Sequence, residues 1–308
     1  MQGDSTVNQL IAIYDNLARN FDLGITTQSV YFDISKAFDR VWHEGLLLKL
    51  ASNGICGKLL QWFQNYLSDR VQCVVIKGET SDYQRVPAGV PQGSALGPLL
   101  FLVYINDIVD NIDSMMKLFA DDTSMSLSSN DTIVRTNTLN SDLEKVAVWA
   151  TKWKVNFNES KTELVNIKRG NNPVLDLYFS NHTLHEKESH KHLGITLQSN
   201  CRWGEHVESI IRKAAMLINC LTSFKYKLSR KALEIMYKSF ILPIFDYADV
   251  IWDNCTEYQA TTLENLHIDA LRTIIGAVRG TSHAKILSES GFSSLRERRK
   301  RHKILQFF

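Results

Sequence analysis

Phe119-Ala120-Asp121-Asp122 places two adjacent carboxylates between an apolar run, 115–120, and an alternating run, 123–127. β-Prone runs on either side of a short polar break predict a hairpin whose tip carries the aspartates. Taken alone, an Asp-Asp pair is a solvated turn, because aspartate is a common turn former. Two like charges at a strand end repel unless a cation sits between them, and Mg²⁺ is the usual cation where phosphates are handled. What the pair does therefore depends on what the remaining chain brings to it.

A second candidate strand, 29–34, runs into Asp33-Ile34-Ser35-Lys36-Ala37-Phe38-Asp39. An aspartate ending a buried strand is costly unless it is paired or metal-bound. A tight turn after it would bring the Ile34 and Ala37 carbonyls near the same ion. Between the two aspartate stretches, Gly89-Val90-Pro91-Gln92-Gly93-Ser94 opens onto a helix predicted over 95–109, with Gly97-Pro98 in its first turn. Glycines before a helix let backbone approach backbone or ligand closely, although by itself this stretch reads as an ordinary loop.

Elsewhere the periodicity predicts a helix capped by Ser5 or Thr6 and running to about Arg19, two helices within 42–69 broken at Asn53-Gly54 and Gly57, and a long amphipathic helix over 132–154. A hairpin is expected over 71–86 around Lys77-Gly78-Glu79-Thr80, with a polar loop over 156–162 and strands at 163–167, 174–179 and 192–197. Gly194 in the last of these is expected to pack closely against another backbone. Beyond Trp203 helical periodicity dominates, over about 207–227, 229–242, 261–275 and 293–307. The expected domains are therefore 1–200 and 201–308.

The 308 residues are 44% hydrophobic and 22% charged, which excludes a disordered or membrane-spanning chain. Residues 1–200 carry 18 Lys and Arg against 22 Asp and Glu, and residues 201–308 carry 17 against 11. A weakly acidic first part and a basic last third suit a metal-binding region joined to one that contacts nucleic acid. The basic run Arg296-Glu297-Arg298-Arg299-Lys300-Arg301-His302-Lys303 reads either as a solvated helix face or as a phosphate-backbone contact. Five scattered cysteines suggest neither disulfides nor zinc, and an intracellular setting, nucleus or cytoplasm, is expected. The cluster of His182, His185, His190 and His192 lacks metal-ligand spacing.

The two aspartate stretches lie 88 residues apart with the Gly-Pro-Gln-Gly loop between them. In this order they resemble motifs A, B and C of the polymerase core of reverse transcriptases. Asn156-Phe157-Asn158-Glu159-Ser160-Lys161-Thr162-Glu163, His192-Leu193-Gly194 and Tyr247-Ala248-Asp249-Val250-Ile251-Trp252 resemble the non-LTR (LINE-type) retrotransposon branch, jockey-like elements in particular. The resemblance implies an α+β fold: a right-hand polymerase palm, an antiparallel sheet packed on helices, with partial fingers in 1–200 and a helical thumb in 201–308. It implies an RNA-directed DNA polymerase that transfers deoxynucleotides to a primer 3′-hydroxyl on an RNA template, using two Mg²⁺ ions.

On the same basis Asp33, Asp121 and Asp122 hold the metals, and Lys161 assists the leaving pyrophosphate. Phe38 crowds the sugar 2′ position, while Gln92 and Gly93 meet the templating pair. His192, Leu193 and Gly194 form the primer grip, and Asp39 is structural. The partners implied are RNA template, DNA primer and deoxynucleoside triphosphates, with no membrane. Gly3-Asp4-Ser5-Thr6 resembles the tail of a finger motif, so upstream finger and endonuclease regions are expected to be missing from an N-terminally truncated chain. Two other readings are a non-catalytic nucleic-acid-binding remnant of a retroelement and a related polymerase such as a group II intron maturase or a telomerase-like enzyme.

Overall fold

The computed structural model describes residues 5–170, 172–180 and 182–307. Gly3 and Asp4 of the expected finger-motif tail lie outside these residues, as does Asn171 of the expected break at 171–173. The chain divides into two compact units, one of 19–190 and one joining 5–18 to 191–307. The start of the first helix, α1 (Thr6–Asp22), is thus grouped with the C-terminal residues rather than with 1–200. The physical reason is aromatic: the Tyr14 ring lies 4.5 Å from Trp203, and its hydroxyl donates to the Cys201 carbonyl at 3.2 Å. Ser5 caps this helix as expected, accepting from Asn8 N–H at 3.2 Å.

The 19–190 unit is built on a five-stranded sheet of β1 (Thr27–Phe32), β2 (Met115–Phe119), β3 (Asp122–Ser128), β4 (Glu163–Ile167) and β5 (Glu186–Lys187). Their spatial order is β5-β4-β1-β3-β2, antiparallel throughout except for β4 with β5. Val30 pairs with Met125 and Leu164, so strand alternation sends these side chains, with Phe32, to one face. That face joins a buried core with Leu46 and Leu50 of α2 (His43–Ser52), Phe63 of α3 (Gly57–Leu67), Leu100 and Phe101 of α4 (Leu96–Ile105) and Leu139 and Leu143 of α5 (Thr132–Trp153). The opposite face carries Tyr31, Asp122, Ser124 and Glu163.

Asp131 caps α5, its side chain accepting from Ile133 and Val134 N–H. Beneath its C-terminal turns Lys49 is buried, 4% exposed, with Nζ over the rings of Trp149, Trp153 and Tyr104. It donates to the Tyr104 carbonyl and to Asp107, both at 2.5 Å, yet burial pulls its pKa down to about 8.

Three expected elements between residues 71 and 179 differ. The 71–86 hairpin is two short ladders, Val71–Gln72 with Gln84–Arg85 and Val75–Ile76 with Glu79–Thr80. The Ser81 hydroxyl takes the Val74 N–H between them and so interrupts the pairing. The 95–109 helix is α4 followed by a 3₁₀ turn, Asn106–Val109. Of the strand expected at 174–179, only Tyr178–Phe179 pairs.

In the other unit, α6 (Gly204–Ser223), α7 (Arg230–Met236), α8 (Leu242–Asp246), α9 (Asp249–Trp252), α10 (Glu257–Ile275), α11 (His283–Ser290) and α12 (Leu295–Phe307) follow one another. A π-helical turn, Tyr237–Ile241, precedes Pro243, which has no N–H to give and crowds the carbonyl four residues back. The short α11 buries a single residue, Ile286, too little for periodicity to reveal.

The basic run of α12 is divided: Arg298, Arg299, His302 and Lys303 meet carboxylates, while Arg296, Lys300 and Arg301 are exposed. Arg298 grips Asp246 with two bonds of 2.9 and 2.5 Å, Arg299 meets Asp253 at 2.8 Å, and His302 meets Asp249 at 2.7 Å. Lys303 also pairs with Asp253. Arginines spaced for one helix face are thereby consumed by carboxylates of α8, α9 and the residue after α9. No helix among the described residues is long and apolar enough to cross a membrane.

Candidate active site

The site begins where β1 stops. Asp33 follows Phe32, and the chain then pairs with 156–158 instead of continuing beside β3. Ser35 N–H donates to the Asn156 carbonyl at 2.8 Å, Asn158 N–H to the Asp33 carbonyl at 2.7 Å, and Ile34 bridges Phe157. This pairing turns the expected polar loop into a structured return. Its 3₁₀ turn, Glu159–Lys161, sets Lys161 Nζ 3.8 Å from Asp33 Oδ2. Both side chains are largely solvated, at 67% and 43% exposure, so the pair adds at most about 1 kcal/mol to stability.

Register supplies the second half. Phe119 pairs with Asp122, leaving Ala120-Asp121 as a two-residue hairpin loop. Ala120 has φ +54° and Asp121 has no positive φ, the pattern of a type II′ turn. A non-glycine residue there is strained, by about 1–3 kcal/mol. Because Phe32 pairs with Thr123, the next residue of β1 and the preceding residue of β3 share a face and an end. Asp33 and Asp122 therefore share a face at one end of adjacent antiparallel strands, with Asp121 in the turn beside them.

They sense one another electrostatically. Desolvation, then Asp121 and more weakly Asp33, raises the Asp122 carboxyl above its ordinary range, while His190 opposes the shift. His190 was not among the expected site residues. It lies stacked on Tyr31, 4.0 Å between centroids, with Nδ1 2.7 Å from Glu163 Oε2. The signal was the parity of β1 and β4: Tyr31 pairs with Glu163, which puts both on the carboxylate face.

The Gly-Pro-Gln-Gly loop is pinned to the first aspartate stretch. Gly89 N–H donates to the Val41 carbonyl and Val90 N–H to the Phe38 carbonyl, both at 2.8 Å. A Cβ on Gly89 would lie 2.7 Å from the Asp39 carbonyl oxygen, and its φ is +93°, so only glycine permits this approach. Phe38 packs on Phe101, 4.7 Å between centroids. Gln92 Nε2 donates to Asp39 Oδ1 at 2.7 Å, which makes Asp39 the residue that orients Gln92. Gly93 has φ +78° and open space on its Cβ side. His43 also meets this loop, Nε2 2.8 Å from the Gly89 carbonyl, a contact that no spacing announced.

The sequence stretch His192-Leu193-Gly194 lies across the unit boundary from these residues, in the part that begins at residue 191. The single strand expected over 192–197 is instead a turn between β6 (Ser189–His192) and β7 (Ile195–Gln198). Leu193 and Gly194 have φ +45° and +84°, the type I′ pattern. Gly194 packs closely against a ring rather than a backbone, since a Cβ there would lie 3.0 Å from Tyr247 Cε1. The Tyr247 hydroxyl holds the turn by donating to the Leu193 carbonyl at 2.6 Å.

The profile of the family described as "Reverse transcriptase (RNA-dependent DNA polymerase)" matches residues 9–197. This chain belongs to the reverse transcriptase family. Among its relatives are the RNA-directed DNA polymerase from mobile element jockey of Drosophila melanogaster, 29% identical over 80% of this chain and 28% of that one. The probable RNA-directed DNA polymerases from transposon BS and transposon X-element of the same organism are each 28% identical over 91% of this chain, and 33% and 32% of theirs. This reverse transcriptase chain thus spans about a third of the length of those relatives. Among solved structures, telomerase from Candida albicans superposes with a TM-score of 0.45 at 12% identity, over 94% of this chain and 56% of that one.

Reverse transcriptases generally use divalent metal ions, and the donor set fits one. Three carboxylates offer hard oxygen ligands, and desolvation, with Asp121 and Asp33 adding to it, disfavours an uncompensated charge on Asp122. Among the described residues one trio of possible ligands has all its ligand atoms within 4.8 Å of one another, and it is a different one: Asp246, Asp249 and His302. Arg298 already neutralises Asp246 there, so that trio reads as an ion-pair lock.

Proposed function

We propose that this chain is the polymerase part of a non-LTR retrotransposon reverse transcriptase, extending a DNA primer on an RNA template with deoxynucleoside triphosphates. The observation that carries this is the placement of Asp33, Asp121 and Asp122 at one end of β1 and β3, where desolvation and then the neighbouring carboxylates raise Asp122. These residues would hold two Mg²⁺ ions. Bound there, Mg²⁺ supplies activation of the primer hydroxyl and charge neutralisation on the phosphates.

The chain's own residues provide positioning and electrostatics, which are most of what phosphoryl transfer requires. Lys161 brings a solvated cation beside Asp33, suited to the charge that develops on the leaving pyrophosphate. The Phe38 ring, braced by Phe101, would crowd a ribose 2′-hydroxyl and so favour deoxynucleotides. Gln92, held by Asp39, and Gly93, with no side chain to intrude, would meet the templating pair. His192, Leu193 and Gly194 would grip the primer backbone at the turn that Tyr247 secures. In this reading residues 19–190 are palm and partial fingers, and the helices after β7 are the thumb.

The test is primer extension on an RNA template with Mg²⁺, wild type against Asp121→Ala, alongside RNA binding by both. Extension by the wild type alone supports the enzyme. Equal RNA binding with no extension from either chain rejects it in favour of a non-catalytic binding remnant.

A further inference from the structure

His43 lies outside the three polymerase motifs, half-buried at the first position of α2. Its Nε2 is 2.8 Å from the Gly89 carbonyl oxygen, and because a carbonyl only accepts, Nε2 carries the hydrogen. Gly89 is buried, and its own N–H is taken by the Val41 carbonyl. Both polar groups of one buried glycine are therefore held by residues 41–43, and the Val90 N–H is held by Phe38.

The far end of the same loop is fixed from α4. The Ser94 hydroxyl donates to the Pro91 carbonyl at 2.7 Å and accepts the Gly97 N–H at 2.9 Å. A Cβ on Gly97 would overlap that Pro91 carbonyl oxygen, so helix and loop are in direct contact. Between the two anchors stand Gln92 and Gly93, and Gly93 has φ +78° with open space where a Cβ would be. Backbone of that kind has little to restrain it. Gln92 is exposed, yet its Nε2 donates to Asp39 Oδ1 at 2.7 Å. Asp39 is itself set by a 3₁₀ turn, Phe38–Arg40, where its N–H donates to the Lys36 carbonyl.

We propose that His43 and Asp39 are positioning residues that set Gln92 before any substrate arrives, and so determine how well a matched nucleotide is told from a mismatched one. This rests on the polymerase reading, in which Gln92 meets the templating pair. A side chain already in place needs no further ordering when the pair forms. A fixed amide fits the shape of a matched pair alone, so freeing Gln92 weakens the matched nucleotide and leaves the mismatched one as it was.

The first readout is the Gln92 side-chain amide in NMR spectra of the chain without template, primer or nucleotide. The second is kcat/KM for matched and mismatched nucleotides in primer extension. Asp39→Ala removes an exposed acceptor, and His43→Ala removes the clamp on Gly89. Each should bring the Gln92 amide shifts to those of a free glutamine side chain. Each should also raise KM for the matched nucleotide about tenfold, with kcat within about twofold and the mismatched nucleotide unchanged. Asp39→Asn retains an oxygen that accepts and His43→Gln an N–H that donates, so both should keep the shifts and the discrimination.

Unmoved amide shifts in both alanine variants would overturn the proposal. So would equal losses on matched and mismatched nucleotides, as a merely structural role produces, or conservative variants no better than alanine. Should His43→Ala fail to fold, Asp39→Ala and His43→Gln decide the matter. The amide is read without substrates, which separates this from the parent reading. A released amide in a chain that never extends a primer keeps the brace and rejects the polymerase. Extension by a chain whose Gln92 amide never moves rejects the brace alone.

Discussion

Asp33, Asp121 and Asp122 at the strand ends and Asp246, Asp249 and Asp253 beneath α12 are both trios of carboxylates, and they differ in the partners that the chain sets beside them. Each member of the second trio has a partner from α12: Arg298 for Asp246, His302 for Asp249, and Arg299 with Lys303 for Asp253. The first trio has Lys161 at 3.8 Å from one member, and desolvation, then Asp121, raises Asp122, as burial raises Asp249 in the second. Paired charges in partly desolvated surroundings hold elements together, whereas a gathered and under-compensated set costs stability and retains affinity for a cation. Among the described residues the cations also divide, paired with aspartates at Arg298 and Arg299 and without carboxylate partners at Arg40, Arg70 and Arg85. Which charges are left over, more than how many there are, separates the site from the scaffold.

The sharpest break between the trios is Asp121→Ala. It should lower primer extension by about 10³-fold, ~4 kcal/mol of barrier, while leaving the urea unfolding midpoint unchanged or slightly raised. Arg298→Ala should show the reverse: a loss of about 2–3 kcal/mol in unfolding free energy by urea titration, because Asp246 keeps its charge without its fork.

Acid should separate the units next. Burial holds the His206 and His267 pKa values down at about 4, so both are neutral when folded. A folded pKa below the unfolded one gives stability that is full above pH 6.5 and lost as pH falls from there through 4. Between pH 6.5 and 5 each histidine should cost about 2 kcal/mol, read as earlier exchange of amides in α6 and α10 than in β1 and β3. Simultaneous exchange in both units would contradict the assignment. The smallest effect is expected at Lys161→Ala: about tenfold slower extension, ~1.4 kcal/mol of barrier, with stability altered by less than about 0.5 kcal/mol.

Much of the site was legible because its signals are local. Phe119-Ala120-Asp121-Asp122 forms the expected hairpin, since strand alternation and a two-residue break act over a few residues. The Gly89 loop likewise announced a close approach, and the close approach is there, against the Asp39 backbone. Gly194 announced one too, but its partner is the Tyr247 ring, more than fifty residues away. His190 went unread because stacking on Tyr31 depends on where β1 and β4 align. The return that carries Lys161 to Asp33 read as loop because its pairing is a single bridge at Phe157.

Sequence by itself determined the reverse transcriptase text, the aspartate hairpin, the α+β composition and most helix positions, because propensity, alternation and turn chemistry act over short spans. Only the tertiary structure decided which charges meet. It set Arg298, Arg299, His302 and Lys303 of α12 on Asp246, Asp249 and Asp253, grouped the start of α1 with the C-terminal helices through Tyr14 and Trp203, and left Asp121 and Asp122 near Asp33 at the end of β1. Coulomb interactions depend on distance in space, and a chain's order does not state that distance.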